Sequence, residues 1–123
     1  MQLMTTNICT FKDPLVICGT CLPEMDQIAF NKLPNPYFVC LETIHMNMVA
    51  HKIASIIEQG NVKRIILASV DKSPHCIQLH HIGRELNKMF NIEIKNYVAK
   101  QGELIEISKE TIGLSKNLSK LQG

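Results

Sequence analysis

The stretch "SVDKSPHCIQLHH", Ser69 to His81, gathers three of the five histidines and one of the five cysteines. Imidazole and thiolate are the groups that hold borderline-soft metals and do acid–base or nucleophilic work near neutral pH. Ser73 is a good N-cap and Pro74 suits the first helical position, where its missing N–H costs nothing. The spacing therefore predicts a helix starting at Ser73 or Pro74. Cys76 then falls in the first turn, among unpaired N–H groups and at the positive end of the dipole. That setting favours the thiolate that a nucleophile or a metal ligand requires. His80 is four residues on and shares a helix face with Cys76, whereas His75 is rotated about 100° from it. His81 points away from the buried stripe and is expected in solvent. Asp71, just ahead, is placed either to orient an imidazole or hold a water, or to bond the backbone of the turn "VDKS".

A second group is "CGTC", Cys18 to Cys21. C-x-x-C spacing lets two sulfurs chelate one ion or form a strained, reducible disulfide. Cys18 reads equally as a small buried hydrophobe ending a strand. Thr20, between the cysteines, and Asp71 are the candidates for direct catalytic work. Cys18, Cys21, His75 and Cys76 are the candidate metal ligands. His45 serves as a ligand or as a capping residue before its helix, with Thr43 as the candidate N-cap there. His51 lies off the apolar stripe of that helix and is expected to be exposed. Cys40 falls inside a strand and reads as core, Cys9 precedes any clear element, and the methionines are gap fillers.

The elements that must position these residues follow from the apolar pattern. "PLVIC", "YFVCLE" and "RIILASV" are short, apolar and rich in β-branched or aromatic residues, and read as strands. The last is the most apolar and belongs in the sheet centre. Met46, Val49, Ala50, Ile53, Ile56 and Ile57 recur at helical spacing, and Gly60 stands where a C-cap belongs. Leu79, Ile82, Leu86 and Phe90 give the stripe of the next helix, ending near Asn91. "IEIKNYVA", a turn at "KQGE" and "LIEIS" complete the sheet. The tail, residues 108–123, is expected to fray. Helices between apolar strands imply crossovers. The expected fold is a single small α/β domain over residues 1–123, three-layered, with a mostly parallel sheet and crossover helices.

Ligands of open α/β sheets bind beyond the carboxyl ends of the strands. Here those ends are "CGTC", "ETIH" and "SVDKSPHC", which bring Cys, His, Asp and Thr to one edge. Composition narrows the partners. The chain has 123 residues, 46% of them hydrophobic and 20% charged, with a net charge of +2 and no Trp. It has neither a basic block nor the aromatic platforms of a single-strand nucleic-acid binder. No apolar run reaches the roughly eighteen residues of a membrane span. The N-terminus lacks the pattern of a signal peptide, and an odd number of cysteines argues for thiols or ligands in a reducing compartment, so a cytoplasmic protein is expected.

The order of "LVICGTCLPEMDQIAF", "YFVCLETI" and "GNVKRIILASVDKSPHC" resembles a small β-class carbonic anhydrase over roughly Leu15 to Gly83. That family has a first strand ending in a C-x-D-x-R loop and an apolar strand ending in H-x-x-C. The resemblance implies zinc held by Cys18, a His of the third loop and Cys76, and a paired sheet in a homodimer. Thr20 stands where the family has Asp, no Arg follows Cys21, and His75 and Cys76 are adjacent. The favoured function is accordingly a zinc site that supports hydration or hydrolysis. The alternatives are a thiol-redox or iron–sulfur electron-transfer protein using the "CGTC" pair, and a non-catalytic module. Such a module would bind a small molecule or anion at the Ser73 helix start or serve in assembly.

Overall fold

In the computed structural model the chain is described over residues 2–40, 45–70 and 74–107, with the backbone alone described at Cys9 and over 74–77. Five strands form one sheet: β1 (Leu15–Gly19), β2 (Tyr37–Val39), β3 (Arg64–Val70), β4 (Glu93–Lys100) and β5 (Glu103–Ile107). Their order is β2-β1-β3-β4-β5. β1 pairs in parallel with β2 and with β3, and β3 in parallel with β4. β5 is antiparallel to β4. The three strands expected to run parallel do so, with β1 between the other two.

Alternation along β3 explains its continuous apolar character. Ile65 and Leu67 point to one face, and Ile66, Ala68 and Val70 to the other. The first face is covered by α3 (Met46–Gln59) and α4 (Pro74–Met89), whose Val49, Ile53, Ile56, Leu79, Ile82 and Leu86 join β1 and β3 in one cluster. The second face carries α1 (Leu22–Met25) and α2 (Gln27–Phe30), with Leu22 and Ala29 against Val16, Cys18 and Ala68. With both faces covered, a strand has no position left for regular polar alternation. The expected three-layer α/β domain is the one observed.

Local chemistry sets the boundaries. α4 begins at Pro74, as the Ser–Pro pair predicts, and ends at Met89, two residues short of the expected end. α3 is capped by His45, whose Nδ1 accepts from the Asn47 N–H at 3.1 Å. The residue expected to cap it, Thr43, lies outside the described residues. Gly60 closes α3 at φ 89°, a left-handed position that favours glycine. Gln101 and Gly102, at φ 52° and 82°, form the two-residue turn between β4 and β5.

Two expectations need correction. β2 is three residues long, because β1 ends at Gly19 and the ladder ends with the Gly19–Val39 pair. Cys40 therefore follows the strand instead of lying within it, and is half-buried. The segment between β1 and β2, read as a connector, contains the single-turn helices α1 and α2. Asp26 joins them: its Oδ1 accepts from the Ala29 N–H at 3.1 Å, and its Oδ2 from the Gly102 N–H at 2.9 Å.

Candidate functional site

From β1 the chain moves to one side of the sheet to form β2, then crosses back beyond β1 to form β3. The direction of winding therefore switches between β1 and β3. Open parallel sheets take their ligands outside the carboxyl ends at such a switch. The residues at this edge are Thr20 and Cys21 after β1, Cys40 after β2, and the first turn of α4 after β3.

Cys18 is fully buried among Leu22, Ala29 and Ala68, and Cys21 is half-buried and packs against the same cluster. The fold thus gathers the C-x-x-C pair on the α1/α2 side of the sheet. Thr20 is exposed, and its backbone N–H donates to the Val39 carbonyl at 3.1 Å. His75 and Cys76 lie in the first turn of α4, on the other side of the sheet. Their side chains, and Asp71 as a whole, lie outside the described residues. Among the described residues no three of His, Cys, Asp and Glu stand together as a metal ion would need. A site joining Cys18 to α4 would have to form past the strand ends, since the sheet lies between them.

The remaining histidines divide clearly. His45 and His51 are exposed. His81, expected in solvent, is half-buried on the flank of α4. His80 is buried and bridges two strands through its two ring nitrogens. Its Nε2 is 2.6 Å from Ser69 Oγ and its Nδ1 is 2.9 Å from Asn96 Oδ1. Ser69, His80 and Asn96 are 1%, 2% and 4% exposed.

The chemistry of the partners fixes the tautomer. An amide oxygen has no hydrogen to give, so the imidazole proton is on Nδ1 and donates to Asn96 Oδ1. Nε2 then accepts from the Ser69 hydroxyl. Burial, which penalises the charged ring, lowers the His80 pKa from 6.5 to about 4; the Asn96 hydrogen bond raises it and nearby His81 lowers it. The ring is neutral at neutral pH. Hydroxyl, imidazole and amide oxygen stand in the order of nucleophile, base and orienting group. Ser69, however, is covered by α4, so its hydroxyl is not presented to a substrate.

Sequence reasoning placed His80 on the Cys76 face of the helix but missed Ser69 and Asn96. Both were legible as exceptions: Ser69 occupies the face of Ile65 and Leu67, and Asn96 the face of Ile94. A cavity of about 630 Å³ opens at the opposite, amino edge of the sheet, lined by Lys12, Asp13, Phe30, Pro34 and Tyr37. Among the described residues its lining holds no cysteine or histidine.

A mostly parallel sheet wound outward from β1 and β3, with helices on both faces, defines an open, doubly wound α/β domain. The chain matches the Rossmann-like domain family over residues 10–122 and belongs to that family. No curated protein and no solved structure matches the chain. Among the described residues no helix is long and apolar enough to cross a membrane.

Proposed function

We propose that the protein binds a soft metal ion, zinc by preference, at the carboxyl edge beside the β1–β3 switch. One observation carries this reading: Cys21, Cys40 and the α4 turn containing Cys76 belong to that edge, and Cys18 is the penultimate residue of β1, just inside it. Thiolates are the donors zinc takes most readily, and imidazole is the next. Cys18 and Cys21 form the described half of the donor set, and His75 and Cys76 supply the other half. A bound zinc with one open position lowers the pKa of its water to about 7, which serves hydration or hydrolysis. Thr20 and Asp71 would then orient that water. Hydration of carbon dioxide is the narrowest form of the proposal.

A second reading uses the pair without a metal. Cys18 and Cys21 pack into one cluster, as the two thiols of a reversible disulfide must. Metal analysis of protein purified without chelator separates the readings. One colourless zinc per chain, lost from Cys18→Ala and Cys21→Ala alike, supports the proposal. A brown iron–sulfur chromophore replaces zinc with electron transfer. Absence of metal together with a reversible Cys18–Cys21 disulfide supports the redox reading.

A further inference from the structure

Ser69, His80 and Asn96 are hydrogen-bonded in series, buried and unused by the metal reading. We infer that they are positioning residues for the crevice: the relay fixes the depth and rotation of α4 on β3 and β4, and so where its first turn stands. The inference rests on the proposed site only in taking that turn to be part of it.

Three observations carry it. First, α4 approaches the sheet too closely for ordinary side-chain spacing at Gly83, where a methyl group would overlap Leu67 Cδ1 and stand 3.5 Å from Asn96 Oδ1. Second, one turn nearer the crevice the gap is filled by an imidazole bonded to two different strands, Ser69 on β3 and Asn96 on β4. Apolar contacts such as Leu79 and Ile82 hold the helix down but tolerate sliding and rotation, whereas two directional bonds to a planar ring do not. Third, the relay stands next to the site. Ser69 is the penultimate residue of β3, and Cys76 is one turn before His80 in α4. It therefore ties the end of β3 to α4 within two turns of the helix start.

The arrangement also explains why polar groups occupy an interface that apolar residues could fill. Three buried polar side chains contribute little net stability over well-packed hydrophobes, but they select one geometry. Among the described residues, no buried side-chain nitrogen or oxygen is left without a partner.

The test is alkylation of the full chain, freed of metal by chelator, with each cysteine followed by peptide mapping. Cys76 reports on the first turn of α4, and Cys18, fully buried, reports on global opening. In His80→Leu the Cys76 rate, taken relative to Cys18, should rise about fivefold or more, the equivalent of losing an ordinary hydrogen bond. His80→Gln, whose amide again offers a donor and an acceptor, should restore most of the wild-type ratio. Ser69→Ala, which deletes one hydroxyl, should show a smaller rise and serves if His80→Leu does not fold. Ratios equal to wild type in the folded variants, or a rise shared equally by Cys18, would overturn the inference. On the unaltered protein, nitrogen NMR at neutral pH should find His80 neutral and protonated on Nδ1; the other tautomer or an imidazolium would overturn it independently. Because the readouts need no metal, absence of zinc would refute the proposed function and leave this result standing.

Discussion

Gly83 of α4 lies against Leu67 of β3 with no room for a side chain between them. A Cβ there would overlap Leu67 Cδ1 and stand 3.3 Å from Ile94 Cγ2. Leu67 is itself buried in the core, so any shift of its methyl presses on packed neighbours. Two effects of opposite sign meet in Gly83→Ala. Alanine gains about 1 kcal/mol in helix propensity, and overpacking a tight core costs about 1–3 kcal/mol. The clash should win, and the variant should unfold at lower urea concentration than wild type. A more stable variant would show that α4 can lift off the sheet at little cost.

His80 should make stability depend on pH between about 6.5 and about 4. Its pKa is about 4 in the folded chain and 6.5 when exposed, so in that window the unfolded state binds the extra proton. Stability from the neutral ring is complete above about 6.5 and falls as pH drops toward 4. A difference of about 2.5 units at about 1.4 kcal/mol each gives a loss of about 3.5 kcal/mol at most. Urea midpoints measured at pH 7 and pH 4.5 should lie closer together for His80→Gln than for wild type, because the carboxylates titrate in both proteins and His80 only in wild type. Identical losses in the two would mean that His80 titrates normally.

Asp26 ties α2 to the β4–β5 turn by hydrogen bonds from the N–H groups of Ala29 and Gly102. Asp26→Ala removes a helix cap and a long-range acceptor together, at about 1–3 kcal/mol. Amide exchange should accelerate at Gly102 as well as at Ala29, although they are far apart in sequence. Acceleration confined to Ala29 would reduce Asp26 to a local cap.

The fold was legible where one physical signal sufficed. "RIILASV" is apolar on both faces because helices cover both, the Ser73–Pro74 pair starts α4, and Gln101–Gly102 turns β4 into β5. α1 and α2 escaped because one helical turn is too short to show a period; their marks are Pro23 in the first turn of α1 and the cap at Asp26. The relay was hidden for a different reason. Its partners are 11 and 16 residues from His80, and a lone histidine on a helix reads as a surface or ligand residue until both strands are placed beneath it. The candidate site was legible as an edge, because strand ends can be read from sequence. The layer on which each cysteine packs was not, since that depends on where α1 falls.

The two cysteines of "CGTC" should separate stability from function. Cys18 is fully buried in the cluster with Leu22 and Ala68, whereas Cys21 is half-buried at the start of α1. Removing the Cys18 sulfur leaves a small cavity, so Cys18→Ala should cost about 1 kcal/mol. Cys18→Ser puts a hydroxyl in the same apolar place and should cost about 1–3 kcal/mol. Cys21→Ala should stay within about 0.5 kcal/mol of wild type, as a partly exposed substitution does. A metal held by both sulfurs, or a disulfide between them, is lost equally in either alanine variant. The expected pattern is therefore unequal thermal stability with equal loss of zinc, or of the oxidised form, measured on the same preparations. Retention of full zinc by Cys21→Ala, with only Cys18 variants affected, would make Cys18 a packing residue and leave the pair without a shared role.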